Sequence, residues 1–274
     1  LTVQQNFAIP IICVGNIYLG GTGKTPLSIL ITQELLRLGK KPALIKKYYP
    51  DHIDEHNLIN NSVDCLFLGK TRSEALQNAE NKGHDIGILD DGFQDFTIKK
   101  NLNILCFNSG QLIGNGLTLP SGPLREKINS IKRAKIIIIN GEKNPFFENE
   151  ILKISNKIMI FYSKYSPINI EKFRGKKLFA FAGIGNPSNF FQLLINNNLN
   201  LQKKITFPDH YNFSVLEIQK MIDYCTKNNL KIITTEKDYF RIKEYNIKNI
   251  DFLKIKLEIP EKEKLINKIL KFVK

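Results

Sequence analysis

A chain of 274 residues, 42% hydrophobic and 24% charged, is long enough for one large or two modest cores and too apolar for a disordered protein. No apolar run reaches the roughly 20 residues of a membrane helix, and four scattered cysteines without a C-x-x-C pair point to buried reduced thiols, not to a zinc site. The 40 basic and 26 acidic residues leave a net charge of +14, which favours anionic partners such as phosphorylated substrates or acidic lipid.

IPIICVGN (9–16) is a continuous apolar run, the pattern of a strand buried on both faces. PLSILITQELLRLGK (26–40) reads as a helix, with Pro26 in the first turn and Gly39 placed to end it. PALIKKY (42–48) and VDCLFLG (63–69) are strands, RSEALQNAENKG (72–83) a helix, and DIGILD (85–90) a further buried strand. LNILCFN (102–108) and KIIIIN (135–140) are also buried strands, and GPLREKINSIKRA (122–134) is expected as the helix between them. The pattern loosens at 157–176 and then resumes with KLFAFAGIG (177–185), NPSNFFQLLINNN (186–198) and KKITF (203–207). Ser214 and Glu217 have the S-x-x-E spacing of a capping box opening VLEIQKMIDYCTKNN; LKIITT (230–235) is a strand, and EKEKLINKILKFVK a final helix.

Alternation of this kind predicts an α/β protein. The fold expected is a P-loop NTPase-type, mostly parallel sheet with a second, smaller α/β domain. Its boundaries are set at 1–160 for the nucleotide-binding domain, 161–176 for a linker and 177–274 for the second domain.

VGNIYLGGTGKTP (14–26) sits between the first strand and the first helix. Gly23, Lys24 and Thr25 supply the end of the P-loop pattern G-x-x-x-x-G-K-S/T, while Tyr18 occupies its opening glycine. Gly20, Gly21 and Thr22 place backbone N–H groups where phosphate oxygens would lie, and the helix N-terminus adds its positive end. Lys24 would reach the β- and γ-phosphates of ATP, and Thr25 would hold Mg²⁺ through its hydroxyl. The apolar run ending in Asp90 and Asp91 brings a carboxylate for the metal to the carboxyl end of a buried strand, where phosphates bind in such sheets. Either aspartate can serve.

VGNIYLGGTGKTP together with ILDDGFQD (88–95) resembles the bacterial tetraacyldisaccharide 4'-kinase family. LPSGPLREKI (119–128), FAGIGNP (181–187), FPDHYNFS (207–214) and TTEKD (234–238) extend the resemblance, in family order, over most of the chain. It implies transfer of the γ-phosphate of ATP to the 4'-hydroxyl of a lipid A disaccharide precursor, at the cytoplasmic face of the bacterial inner membrane, with peripheral attachment. It also implies that Arg125 lies at the nucleotide, that Glu126 lies at the metal, and that Asp54 with His210 forms the base. Asp51 is the alternative carboxylate. The family too replaces the first P-loop glycine, and it carries a membrane-associated helix ahead of the first strand, outside this numbering.

The chain departs from the family pattern in three places. Asp95 stands where D-D-G-F-Q-H ends in histidine, Ile45–Tyr48 replaces an S-R-G-Y segment, and the stretch after it is shortened to IDEH (53–56). The lysine-, asparagine- and isoleucine-rich composition is a second source of the positive charge, beside membrane binding. No nucleic-acid motif accompanies that charge, and neither nucleic acid nor an obligatory protein partner is expected. A P-loop ATPase or GTPase of other function is the alternative reading. A guanine-specific enzyme would need an N-K-x-D segment, and TTEKD lacks its asparagine.

Overall fold

A computed structural model describes residues 4–50 and 53–273, with the side chains of residues 53 and 54 undescribed. The chain runs β1 (Ile11–Gly15), α1 (Lys24–Arg37), β2 (Pro42–Lys47), α2 (Ile53–Asn60), β3 (Leu66–Gly69), α3 (Arg72–Asn81) and β4 (Ile86–Asp90). Next come β5 (Leu102–Asn108), β6 (Ile136–Asn140), α4 (Pro145–Ile154) and β7 (Met159–Pro167). It continues with β8 (Lys177–Ala182), α5 (Pro187–Asn196), β9 (Asn200–Thr206), α6 (Val215–Lys227), β10 (Lys231–Thr235) and α7 (Glu236–Ile242). β11 (Ile250–Leu253), β12 (Ile255–Glu258) and α8 (Lys262–Leu270) complete it.

The larger sheet has eight strands in the order β12-β7-β6-β5-β1-β4-β2-β3. Its pairings β1–β4, β1–β5, β2–β4, β2–β3, β5–β6 and β6–β7 are all parallel. Parallel strands buried on both faces need apolar side chains throughout, and β1 and β6 are buried at every position. The chain leaves β1 toward β2 and β3, returns to insert β4 beside β1, and then crosses to β5 on the other side. This reversal opens a crevice at the carboxyl ends of β1 and β4, the usual ligand position in such sheets.

The smaller sheet, β11-β10-β8-β9, is parallel throughout. One of its faces buries Leu178, Ala180 and Ile233 with Phe190, Phe191 and Leu194 of α5. The other buries Phe179, Phe181 and Ile232 with Ile218, Met221 and Cys225 of α6.

The chain divides into two units: Leu1–Tyr48 with Ile59–Lys164 and Leu257–Lys274, and Tyr49–Leu58 with Tyr165–Lys256. These bounds differ from those expected. The first part of the anticipated linker, 161–176, completes β7, whose residues Met159–Ser163 pair with β6. Residues 257–274, expected in the second domain, return to the first unit, where Lys262 of α8 reaches Glu34 of α1 at 2.6 Å. Such a return is invisible to a linear reading.

The helix expected over 122–134 is reduced to a 3₁₀ segment, Ile128–Arg133. Pro123 disfavours helical geometry at the residue before it. Leu124 bridges both Tyr18 and Thr118, and the Arg125 N–H donates to the Ile17 carbonyl at 2.7 Å. The backbone of 123–125 is thus committed to strand-like pairing. Among the described residues no helix is long and apolar enough to cross a membrane.

The capping box at α6 is present, with Ser214 accepting from the Glu217 N–H and Glu217 accepting from the Ser214 N–H. The Tyr211 hydroxyl also donates to Glu217 at 2.7 Å. Tyr211 and the Ser214 hydroxyl and N–H together hold the Glu217 carboxyl down to about 2, from an ordinary 4.5. Because the folded-state value is depressed, the stabilisation is complete above about 4.5 and is lost as pH falls through about 2. In an NMR titration the Glu217 carboxyl should show this low midpoint, and Tyr211→Phe should raise it. An unchanged midpoint in that variant would remove Tyr211 from the cap.

Candidate active site

The loop between β1 and α1 is shaped by left-handed backbone at Gly20 (φ 111°) and Gly23 (φ 92°). Tyr18 is outside that region, since it is bridged in antiparallel fashion to Leu124. The opening position is therefore extended backbone, which a side chain tolerates, and the glycine of the general pattern is not needed there. Gly23 caps α1 without a side-chain hydrogen bond, and the first turn holds no acidic residue. The N–H groups of that turn have no intrahelical acceptor, which suits an anion. Thr22 is buried, and its hydroxyl accepts from Asn16 Nδ2 at 2.9 Å.

The two aspartates occupy different environments. Asp90, the last residue of β4, has no exposed surface. Its carboxylate accepts from the Thr25 hydroxyl at 2.9 Å, the Ser28 hydroxyl at 3.1 Å and Lys46 Nζ at 2.6 Å. Asp91 follows with left-handed backbone (φ 58°) and a side chain 29% exposed. Arg125 Nη1 donates to both of its carboxylate oxygens, at 2.9 and 3.1 Å, and Lys24 Nζ lies 3.8 Å away. Burial works against ionisation of Asp91, yet Lys24 and Arg125 outweigh it and hold the carboxyl below its ordinary value. The backbone is held as well: Asp91 N–H donates to Val14 O at 2.9 Å and Asp91 O accepts from Arg72 Nη2 at 2.6 Å.

Glu126 is gripped from both sides, accepting from Gln94 Nε2 at 3.0 Å and from Arg133 Nη2 at 2.5 Å. The Arg133 guanidinium lies 4.1 Å from the ring centre of Phe93 and 4.6 Å from that of Phe96. Asp95, at the position of the family histidine, accepts from the Thr97 N–H and hydroxyl and lies 3.5 Å from Arg72. It is an anchor for Arg72, and through it for the Asp91 carbonyl. Among the described residues no cluster of three His, Cys, Asp or Glu side chains forms a metal cage. One hydroxyl with one or two carboxylates makes a hard-oxygen donor set of the kind that suits Mg²⁺. Thr25, Asp90 and Asp91 fit it.

The second unit gathers a different group. His210 has left-handed backbone (φ 56°) in the loop after β9. Its Nε2 is 3.3 Å from Lys237 Nζ, and its Nδ1 is 3.5 Å from Arg241 Nη2. Both ring nitrogens thus face cationic donors. Lys237 also bonds Glu55 Oε1 at 3.0 Å, and Glu55 and Asp209 each lie 3.9 Å from His210 Nε2. Asp51 and the side chain of Asp54 lie outside the described residues. The carboxylate from α2 that is seen beside His210 is Glu55.

The TTEKD segment has a definite structural job. Thr235 caps α7, and the fully buried Asp238 accepts from the Thr235 hydroxyl at 2.7 Å, the Gly183 N–H at 3.0 Å and Arg241 at 2.8 Å. Burial pushes the Asp238 carboxyl up despite these partners. The sequence offers Asp238 as a structural cap, and the structure agrees; nothing in it marks Lys46, Arg72, Lys237 or Arg241 as site residues. For Asn16 and Gln94, also unmarked, the available signal was position, inside the two motifs themselves.

A family model described as tetraacyldisaccharide-1-P 4'-kinase matches residues 1–274. A tetraacyldisaccharide 4'-kinase of Pelagibacter ubique (strain HTCC1062) is 42% identical over 270 residues, which are 97% of this chain and 86% of the relative. The enzyme of that name from Parvibaculum lavamentivorans is 31% identical over 255 residues, covering 87% of this chain and 75% of its own. A crystal structure of LpxK from Aquifex aeolicus in complex with ATP superposes with a TM-score of 0.74 at 23% identity, covering 99% of this chain and 91% of that one. That likeness is one of fold.

The buried pair Lys46–Asp90 yields a stability test. Removing one partner of a buried ion pair typically costs about 3–5 kcal/mol, because the other charge is left uncompensated. Lys46→Met and Asp90→Asn should each lower the urea unfolding free energy by roughly that amount. The double variant should lose at least ~1 kcal/mol less than the sum. Strict additivity would show that the two charges do not depend on one another.

Proposed function

Because the chain belongs to the tetraacyldisaccharide-1-P 4'-kinase family, we propose that its P-loop and paired aspartates carry out that family's reaction. The enzyme transfers the γ-phosphoryl group of ATP to the 4'-hydroxyl of a tetraacyldisaccharide 1-phosphate, a lipid A precursor. The observation that carries the assignment of the site is the 2.9 Å bond from Thr25 to Asp90. It joins the end of a strand–GGTGKT–helix loop to the carboxyl end of the adjacent strand, the arrangement phosphoryl transfer requires.

The reaction breaks the bond from the γ-phosphorus to the β,γ-bridging oxygen, forms one to the 4'-oxygen, and sends the hydroxyl proton to a base. The loop N–H groups from Gly20 to Thr25 hold the phosphates. Lys24, beside Asp91 before nucleotide binds, offsets charge on the transferring group, and Arg125 adds a second cation. Thr25, Asp90 and Asp91 would hold Mg²⁺, which would supply positive charge against the phosphates. Asp90 accepts a hydrogen bond from the Thr25 hydroxyl, which leaves the Thr25 oxygen lone pairs for the metal. Asp91, more exposed, supplies a carboxylate. Glu126, held by Gln94 and Arg133, reaches the metal only if it exchanges one of those partners. Asp54 with His210 serves as base, the role the resemblance implies, and a neutral imidazole accepts from either Lys237 or Arg241 according to its tautomer.

A GTP-hydrolysing switch is not favoured. The segment nearest to a guanine-reading motif spends its aspartate on the Gly183 N–H and Thr235, inside a fully buried cap. The net charge of +14 supports peripheral attachment to an anionic membrane surface at the cytoplasmic face.

Radiolabelled phosphate should pass from ATP to the disaccharide precursor, and Lys24→Ala should cost orders of magnitude in kcat. Near wild-type transfer in that variant would sink the P-loop assignment. Asp90→Ala and Asp91→Ala should each weaken the Mg²⁺ dependence of turnover. Asp54→Ala and His210→Ala should bind ATP·Mg²⁺ normally, lose kcat, and combine non-additively; multiplicative losses would dissolve the pair. Binding to anionic vesicles should weaken as salt rises, since exposed charges are screened beyond about 8 Å at physiological ionic strength. Salt-independent binding would leave the charge to composition alone.

A further inference from the structure

Asn16 lies just after β1 with no exposed surface, and its amide faces the phosphate loop from behind. Asn16 Nδ2 approaches Tyr18 O at 2.6 Å, Thr22 Oγ1 at 2.9 Å and Gly20 O at 3.3 Å. Two of these three are carbonyls, which only accept, so the –NH₂ and not the oxygen must face them. Three acceptors share two hydrogens, and the longer Gly20 contact is the weaker.

These bonds set directions. In a planar trans peptide the C=O and the following N–H point opposite ways. With the Tyr18 carbonyl on Asn16, the Leu19 N–H must point away, and it donates to Pro123 O at 2.8 Å. The same rule applied to Gly20 turns the N–H of the exposed Gly21 away from Asn16 and outward, as a phosphate donor must point. Asn16 is itself held. Its main-chain carbonyl accepts from Gln94 Nε2 at 2.9 Å, the same nitrogen that reaches Glu126 at 3.0 Å. Glu126 is bonded to Arg133, which stacks on Phe93 and Phe96. The loop is thereby tied to the DDGFQD and LREK segments through one line of hydrogen bonds.

We propose that Asn16, oriented by Gln94, is a positioning residue that pre-sets the phosphate-binding amides of this loop, the shaping role that the missing first glycine has in the general P-loop pattern. The proposal rests on the nucleotide-site reading given above. The Asn16 side-chain amide bonds loop atoms only, so its loss disorders the cradle without removing a group that contacts substrate.

The test is calorimetric titration of ATP·Mg²⁺ into the wild-type protein, Asn16→Ala and Asn16→Asp, with steady-state kinetics alongside. Both variants should raise the Kd and the KM for ATP at least tenfold, with the KM for the lipid acceptor within twofold of wild type. Asn16→Asp should be the worse, since a carboxylate would face two carbonyls. A merely structural role would lower the unfolding midpoint and leave the Kd of the folded fraction unchanged, and that result overturns the proposal. Should the Asn16 variants not fold, Gln94→Met carries the test: a threefold or greater rise in the KM for ATP is expected, and an unchanged KM overturns it. Wild-type transfer by Lys24→Ala would instead overturn the underlying nucleotide-site reading, and this proposal with it.

Discussion

The Asp90 carboxylate is the constraint on which the first unit turns. One fully buried group takes hydrogen bonds from Thr25 and Ser28 of α1 and from Lys46 of β2, while its own backbone ends β4. The consecutive elements α1 and β2 are therefore fixed against the distant β4 by two oxygens. Such an arrangement is costly to desolvate and is tolerated because three donors, one of them cationic, compensate the buried carboxylate. The gain is geometrical. The Thr25 hydroxyl is aimed by a carboxylate that solvent cannot reach, and Lys46 Nζ stands 2.6 Å from that carboxylate in the same dry setting.

Placing charged groups at the carboxyl ends of parallel strands recurs in the second unit. Gly183 follows β8, His210 follows β9, and Thr235 ends β10. Asp238 stands there much as Asp90 does in the first unit, a buried carboxylate closing hydrogen bonds between neighbouring strand ends. Both units thus use the same device.

Most of the first unit was legible because buried parallel strands write themselves as unbroken apolar runs and P-loop chemistry is local. β1, α1, β4, Lys24, Thr25 and the aspartate pair all fall in this class. What escaped was settled by partners distant in sequence. Nothing near Lys46 announces that it meets Asp90, and nothing in 122–134 announces that Leu124 pairs with Tyr18. α4 escaped for another reason: Asn144 followed by Pro145 is a clear cap and first-turn signal that was passed over. The eight-residue α2 is polar and lacks a strong apolar stripe, so its carboxylates could be aligned only by resemblance across a shortened loop. There Glu55, not Asp54, is the described neighbour of His210.

Tyr18 has a consequence for anyone redesigning this enzyme. Its pairing with Leu124, together with the Leu19 to Pro123 and Arg125 to Ile17 bonds, makes the start of the loop a short β ladder. Restoring glycine at that position would look like a repair toward consensus. In this backbone it would instead free a joint that is now stiff, adding unfolded-state entropy and removing a side chain that packs on the core beside it. The residues a ladder welcomes are β-branched or aromatic. Sequence variation here should therefore follow the grammar of strands, although the segment is named for its glycines.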